Sequence, residues 1–207
     1  MSAPAARLVL ATRNAHKVDE LRAILSPLLP ALAAEAVIGA AGLDVPEPVE
    51  DGVTFEQNAL IKARALAAAT GLPAVADDSG LAVDVLGGAP GIFSARWSGR
   101  HGDDRANLEL LLAQLADVPA EHRGARFVCA AALVTPDGTE VVEAGEMPGT
   151  LLTEARGSGG FGYDPILQPD GEQRSSAELS PAEKNAISHR GKAFRALAPH
   201  IARALSA

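Results

Sequence analysis

The sequence feature that most constrains the fold is an apolar run that leads directly into two adjacent carboxylates. Residues 72–76 (Leu-Pro-Ala-Val-Ala) follow a glycine and have the length and composition of a buried strand. The polar segment Asp77–Gly80 comes next, and we expect the strand to end there. Because neighbouring side chains on an extended chain point to opposite faces, Asp77 and Asp78 are predicted to have different partners.

Two interpretations of these carboxylates fit the local sequence equally well. Carboxylates at a strand end can bind a cation or accept a proton during catalysis. The same residue types also form ordinary polar turns, in which the side chain accepts hydrogen bonds from the backbone. A second acidic group, formed by Glu47, Glu50 and Asp51, is either a solvated loop or another source of metal-facing carboxylates.

The acidic composition limits the classes of partner. The formal net charge of -8 argues against nucleic-acid binding, which needs a broad basic face, but allows a small polyanion that local cations or a metal would hold. Residues 1–7 contain no long apolar segment, and no run approaches the length of a membrane span. We therefore expect a cytoplasmic protein. The single cysteine, Cys129, lies in an apolar run and is predicted to be a buried hydrophobe.

The N-terminal segment has the pattern of an anion site. Residues 8–11 predict a buried strand, and a short polar loop follows. Apolar residues at helical spacing over 18–25 then predict a helix, with Asn14 as its N-cap. In such a unit, free backbone N–H groups and the helix dipole attract an anion. Lys17 would lie in the first turn, where a cation is unfavourable unless an anion compensates it. The alternative is a solvated surface lysine.

Two further helices are predicted from their caps. Thr54–Gln57 is a capping box that opens a helix, on which Lys62 and Arg64 are expected to face solvent. Ser180–Glu183 is a second capping box with proline at the first helical position, and it places Lys184 in the first turn.

The second distinctive stretch is the glycine-rich segment Gly157–Pro165. It contains the G-x-G-x-x-G pattern of dinucleotide-binding proteins, but that pattern should follow an early strand and open a helix. Here the segment leads into strand-like residues 166–167, which disfavours a dehydrogenase. A loop that approaches a flat ligand fits better, with Phe161 or Tyr163 stacking on it. The alternative is a structural glycine turn with both rings packed inward.

These groups together match the requirements of a magnesium-bound nucleoside triphosphate. Lysines at helix starts and the carboxylates suit phosphates and a metal. An aromatic ring, together with the donors His189 and Arg190, suits a base.

Six motifs in combination resemble a known family. They are Thr12-x-Asn14-x-x-Lys17, Thr54-Phe55-x-x-Asn58-Ala59, Ala76-Asp77-Asp78-Ser79-Gly80-Leu81, Gly88-Ala89-Pro90-Gly91, Gly160-Phe161-Gly162-Tyr163-Asp164-Pro165 and Ser188-His189-Arg190-Gly191. In these motifs the chain is similar to the inosine/xanthosine triphosphate pyrophosphatases, from Leu8 to about Arg195. The resemblance implies an α/β fold in which helices flank an elongated mixed β-sheet. It also implies one pyrophosphatase domain, residues 1–207, with two lobes and a central active-site cleft, and a homodimer.

The same resemblance implies the reaction and the residues that perform it. ITP, dITP and XTP would be hydrolysed to the nucleoside monophosphate and pyrophosphate, with Asp78 as proton acceptor and Glu50 and Asp78 as ligands of Mg²⁺. Arg190 would donate to the purine O6 and so reject adenine. The expected substrate-binding residues are Thr12, Arg13, Asn14, Ala15, His16, Lys17, Ser79, Phe161, Gly162, Tyr163, Asp164, Lys184, His189 and Arg190.

Three rival activities define what has to be tested. A serine hydrolase could use Ser79 and His189, but no G-x-S-x-G motif surrounds Ser79. A nucleotide sensor would bind inosine triphosphate without releasing pyrophosphate. A γ-phosphatase would release orthophosphate as its first product.

Overall fold

The computed structural model describes residues 6–12 and 15–206, except for the side chains of residues 15–17. Within these residues the helices are α1 (Ala15–Leu25), α2 (Phe55–Thr70), α3 (Asp104–Gln114), α4 (Pro181–Ile187) and α5 (His189–Ser206). The strands are β1 (Leu8–Leu10), β2 (Val37–Gly39), β3 (Ala74–Val83), β4 (Gly124–Val134), β5 (Glu140–Leu151) and β6 (Leu167–Pro169). No helix in the described part of the chain is long and apolar enough to cross a membrane.

The strands form one mixed sheet in the order β2-β1-β3-β4-β5-β6. β1 pairs in parallel with both β2 and β3, whereas β5 and β6 pair in antiparallel. Helices pack against this sheet through three clusters of buried apolar side chains. The predicted α/β class, with helices flanking a mixed sheet, is therefore confirmed.

β3 extends farther than predicted. The strand continues through Asp77 and Asp78 to Val83, so the two carboxylates lie in its middle and the prediction that it ends there is wrong. Each carboxylate has its own side-chain partners, which confirms the prediction that the two residues have different partners. In a polar turn, backbone N–H groups would satisfy these carboxylates. Here side chains do so instead, and the strand continues without interruption.

Backbone contacts divide the chain into two compact units. Unit 1 comprises Met1–Asp78, Cys129–Ala144 and Arg190–Ala207. Its part of the sheet is covered on both faces, because Leu8 packs with α1 and α5 while its neighbour Val9 packs with α2. Cys129 is buried in the first of these clusters, as predicted.

Unit 2 comprises Ser79–Val128 and Gly145–His189. Its core joins Leu81 of β3 to Leu111 of α3 and Ile166, together with the C-terminal part of β5. Each unit thus has its own apolar core. The expected arrangement of one domain with two lobes and a central cleft stays a prediction.

The helices α2 and α4 begin at their predicted caps. The Thr54 hydroxyl accepts a hydrogen bond from a backbone N–H in the first turn of α2. Ser180 and Glu183 form the complete predicted capping box before α4. Each cap fixes where its helix begins and therefore which side chains face the interior. These include Lys62 on α2 and Lys184 on α4.

Candidate active site

Two charged side chains and an amide surround Asp78 in unit 1. The Lys62 Nζ lies 3.1 Å from the Glu50 Oε2 and 3.3 Å from the Asp78 Oδ1. The Asn58 Nδ2 donates to the Asp78 Oδ2 at 3.2 Å. Asn58 and Lys62 share one face of α2 because they are one helical turn apart. Both oxygens of Asp78 are therefore held from the same helix.

Burial and neighbouring charges shift the protonation equilibria of this cluster. Burial raises the pKa of the Asp78 carboxyl above its usual range, despite the opposing charge of Lys62, and Glu50 adds to the rise. Burial lowers the pKa of Lys62, but the carboxylates around it outweigh burial and the pKa lies above its ordinary value. Lys62 is therefore an ammonium group that two carboxylates share.

Glu50 and Asp78 fit the way in which magnesium binds together with phosphate. The described residues include no group of three or more His, Cys, Asp or Glu side chains that could hold an ion by themselves. Mg²⁺ commonly takes only one or two protein carboxylates and completes its shell with water and substrate phosphates. The two hard oxygen donors match that mode, and the position of Lys62 between them shows that the site accommodates positive charge.

Lys62 does not face solvent, so that prediction is wrong. Its side chain is only 14% exposed, because α2 presents it to the interior beside Asn58. Arg64 is 52% exposed and pairs with Glu140 at 2.6 Å, as expected for a solvent-facing residue. A sequence signal for Lys62 exists in its four-residue spacing from Asn58, which belongs to one of the six motifs.

A small cleft opens beside Lys62 within unit 1. Its wall includes Thr12, Ala40, Val45, Glu47, Lys62 and Leu66. Thr12, the first residue of the predicted phosphate loop, therefore lies at the same cleft as Lys62. Arg13 and Asn14 lie outside the described residues, as do the side chains of Ala15, His16 and Lys17, so their predicted contacts stay predictions.

Arg190 is buried in unit 1 and pairs with two carboxylates. Its Nε lies 3.2 Å from the Asp77 Oδ2, and its Nη1 lies 3.0 Å from the Glu20 Oε2. Burial opposes its charge, but Asp77 and Glu20 outweigh burial and hold the pKa of Arg190 above its usual value. Donation to a purine O6 needs an accessible guanidinium, and this side chain is only 2% exposed. Arg190 thus joins α5 to β3 and α1 through these pairs, and its predicted contact with the purine O6 stays a prediction.

In unit 2, the aromatic loop (residues 157–165) places Phe161 beside Lys184. The Asp164 Oδ2 accepts hydrogen bonds from the Lys184 Nζ at 2.6 Å and from the Phe161 N–H at 2.8 Å. The ammonium lies 5.3 Å from the centroid of the Phe161 ring, which is 43% exposed. Gly160 has a φ of +70°, and a Cβ there would lie 2.0 Å from the Asp164 Oδ2, so this turn requires glycine. An accessible ring thus lies beside a cation that a buried carboxylate holds.

The rings of Tyr163 and His189 are buried in the same unit. The Tyr163 hydroxyl donates to the Ser94 carbonyl at 2.9 Å, and burial raises the pKa of Tyr163, which keeps this hydroxyl a donor. The His189 imidazole stacks on Phe127, with ring centroids 5.0 Å apart. Neither buried ring presents a surface for stacking, so direct contact of these side chains with a base is not supported. The remaining predicted contacts in this unit are Ser79 and Gly162, both half-buried.

The chain is similar to known proteins over almost its whole length. The family model described as the Ham1 family matches residues 8–200. A dITP/XTP pyrophosphatase of Streptomyces avermitilis is 67% identical over 195 residues, which are 94% of this chain and 96% of that protein. One from Nocardia farcinica is 60% identical over 95% of each chain.

Solved structures give the same result at the level of the fold. A HAM1 protein from Coxiella burnetii has a TM-score of 0.85 and 40% identity, covering 96% of this chain and 99% of that one. A nucleoside-triphosphatase / dITP/XTP pyrophosphatase from Mycobacterium abscessus has a TM-score of 0.75 and 52% identity, covering 93% and 99%. The resemblance inferred from six motifs is thus confirmed, and the chain belongs to the Ham1 family.

Proposed function

We propose that this enzyme hydrolyses ITP, dITP and XTP to the nucleoside monophosphate and pyrophosphate. The observation that carries the proposal is the cluster of Glu50, Lys62 and Asp78. In it the Asp78 carboxylate, the proposed base, and the Glu50 carboxylate both contact the Lys62 ammonium. Such a group suits the activation of water beside a charged phosphate chain. The names of the relatives at 67% and 60% identity support the same substrate class.

In the proposed reaction, water attacks the α-phosphorus of the triphosphate. The bond between this phosphorus and the oxygen that bridges to the β-phosphorus breaks, and pyrophosphate leaves with that oxygen. Asp78 accepts the proton of the attacking water. The hydrogen bonds from Asn58 and Lys62 orient the carboxylate, so part of its effect is the positioning of the water.

Positive charge around the triphosphate would come from several sources. Enzymes that act on nucleoside triphosphates generally need a divalent cation, and we propose Mg²⁺. Glu50 and Asp78 would hold this ion, which supplies charge that offsets the phosphate oxygens. Lys62 adds an ammonium, and the loop Thr12–Lys17 would bind the phosphates, with Lys17 offsetting the charge of the departing pyrophosphate.

The base would be recognised by the aromatic loop. Stacking of a base on Phe161 contributes about 1–3 kcal/mol. Lys184 is a donor beside that ring, so a keto oxygen is accepted, whereas the amino group of adenine would face a donor. We prefer Lys184 to Arg190 as this donor, because the Lys184 side chain is 11% exposed and that of Arg190 only 2%.

The resemblance also implies a homodimer. The substrates belong to the nucleotide pool of the cytoplasm, and we propose that compartment. The net charge of -8 argues against nucleic acid as a partner.

The test is a panel of ITP, dITP, XTP, GTP and ATP, incubated with the full chain and Mg²⁺, in which pyrophosphate and orthophosphate are both measured. We expect pyrophosphate from the first three nucleotides and its loss when the metal is chelated. Orthophosphate as the first product would identify a γ-phosphatase instead. Binding of ITP without any product would identify a sensor, and a covalent adduct on Ser79 would identify a serine hydrolase.

A further inference from the structure

Two residues outside the predicted site hold the aromatic loop in place. The first is Asp104, whose Oδ2 accepts a hydrogen bond from the Gly162 N–H at 2.9 Å. Asp104 is the first residue of α3, and the preceding Asp103 caps that helix by accepting from the N–H of Ala106. The residue next to Phe161 is therefore bound to the capped end of a helix in its own unit.

The second is Ser94, whose hydrogen bonds reach both the aromatic loop and β3. Its carbonyl accepts from the Tyr163 hydroxyl at 2.9 Å, while its own hydroxyl accepts from the Leu81 N–H at 2.9 Å and donates to the Gly91 carbonyl at 2.6 Å. A Cβ at Gly80 would lie 2.4 Å from the Ser94 Oγ, so glycine is what allows β3 to lie this close to the hydroxyl. Ser94 is itself buried, and it joins β3 to the aromatic loop.

These contacts anchor the loop at three consecutive residues after Phe161. Gly162 binds Asp104, Tyr163 binds Ser94, and the Asp164 carboxylate accepts from the N–H of Phe161 itself. Phe161 is 43% exposed, whereas Tyr163 and Asp164 on this anchored backbone are buried. A loop that is already in its binding conformation loses no affinity to a conformational equilibrium, whereas a loop that populates that conformation only partly does.

We propose that Asp104 and Ser94 are positioning residues that hold the Phe161 ring beside Lys184, and that they set affinity and selectivity for the base without touching it. This inference rests on the proposed function, because it assigns the stacking surface to a purine. It predicts a specific division of effects. Loss of either anchor weakens the binding of the base, while binding of the phosphates and the chemical step are preserved.

The first test compares Asp104→Ala with Asp104→Asn, which keeps an oxygen acceptor for the Gly162 N–H. Calorimetry measures the affinity for inosine monophosphate and for inorganic tripolyphosphate, and kinetics gives kcat and KM for ITP. Asp104→Ala should weaken inosine monophosphate and raise KM by about 5- to 20-fold. Tripolyphosphate affinity and kcat should change less than about twofold. Asp104→Asn should restore most of the loss.

The matched control is Glu109→Ala, which removes the same charge from the same helix. Glu109 pairs with Arg105 on the surface of α3, and its replacement should leave both affinities unchanged. Tyr163→Phe provides a second, independent variant, because it deletes the donor to Ser94 and keeps the packed ring. It should show the same division as Asp104→Ala, with a lower ratio of ITP to ATP hydrolysis.

Two results would overturn the inference. One is an affinity for inosine monophosphate that is unchanged in both Asp104→Ala and Tyr163→Phe. The other is an equal loss of tripolyphosphate affinity, which would indicate a general structural defect. A wild-type protein that binds inosine monophosphate but releases no pyrophosphate would refute the proposed function alone, since the anchoring residues are still judged by binding.

Discussion

Each unit contains a lysine that pairs with carboxylate, but the two sites differ in their balance of charge and in the exposure of the carboxylates. In unit 1, Lys62 is shared by Glu50 and Asp78, whose side chains are 32% and 16% exposed. In unit 2, Lys184 has Asp164 as its carboxylate partner, at 2.6 Å, and that carboxylate is only 3% exposed. In the first site, two carboxylates share one ammonium, so carboxylate lone pairs are left over. In the second site, one ammonium and one carboxylate neutralise each other beside the exposed ring of Phe161.

Under the proposed function, this difference separates the site of the chemical step from the site that recognises the base. Excess carboxylate near solvent suits a metal and a proton acceptor, because both need lone pairs that can still be used. A neutralised pair beneath Phe161 suits the binding of a flat, uncharged base, because it fixes the geometry and adds little net charge. The two sites should therefore respond differently to substitution, and the predictions below test that expectation.

The largest effect is expected at Asp78. Asp78→Asn removes the proton acceptor, and kcat for ITP should fall by roughly 10²–10⁴-fold. The affinity for inosine monophosphate should remain near that of the wild type, because the aromatic loop is intact. Steady-state kinetics and calorimetry measure the two quantities. A variant with near-normal kcat would remove Asp78 from the chemistry and would break the distinction between the sites.

The next effect concerns Asp77, the neighbour of Asp78 on β3. Asp77→Asn leaves the buried Arg190 with incomplete compensation and should cost about 3–5 kcal/mol of unfolding free energy. Urea denaturation measures this cost. The control is Arg64→Ala, which breaks an exposed pair with Glu140 and should cost only about 0–1 kcal/mol. Equal costs would show that burial does not distinguish the two pairs.

A smaller effect is expected at the exposed ring. Phe161→Ala should raise KM for ITP by an amount equivalent to about 1–3 kcal/mol of stacking, with a minor change in kcat. Phe161→Tyr keeps an aromatic face and serves as the control, with KM close to that of the wild type. A fall in kcat without a change in KM would place this residue with the chemical site instead.

The smallest effect concerns the cap of α4, the helix that carries Lys184. Hydrogen bonds from Ser180 and the pairing with Arg174 lower the pKa of Glu183 to about 2. A depressed pKa in the folded protein stabilises it above the ordinary value of 4.5, and this stabilisation is lost as the pH falls toward 2. Glu183→Gln should therefore lower the thermal midpoint slightly at neutral pH, and the difference from the wild type should shrink as the pH falls. Thermal unfolding from pH 7 to pH 3 measures the difference, and parallel curves would contradict it.

Local patterns in the sequence predicted much of the architecture. The caps at Thr54 and Ser180 were visible because a cap depends only on residues within one turn. The family resemblance implied that Asp78 and Glu50 bind the same metal, and the structure brings both carboxylates to the same ammonium. The sequence could not show which of Phe161 and Tyr163 is exposed, because both rings lie on the same glycine-rich loop.

The sequence by itself determined the class of fold, the starts of α2 and α4, and the family. Only the tertiary structure decided which charges meet. Arg190 lies 113 residues from Asp77 along the chain, yet the two are buried together, and Lys62 turns inward because Asp78 lies across from α2. Local spacing can show which face of a helix a residue shares, as with Asn58 and Lys62, but it does not show which distant residue that face will meet. The free energy of a buried charge is set by neighbours that folding brings from elsewhere in the chain.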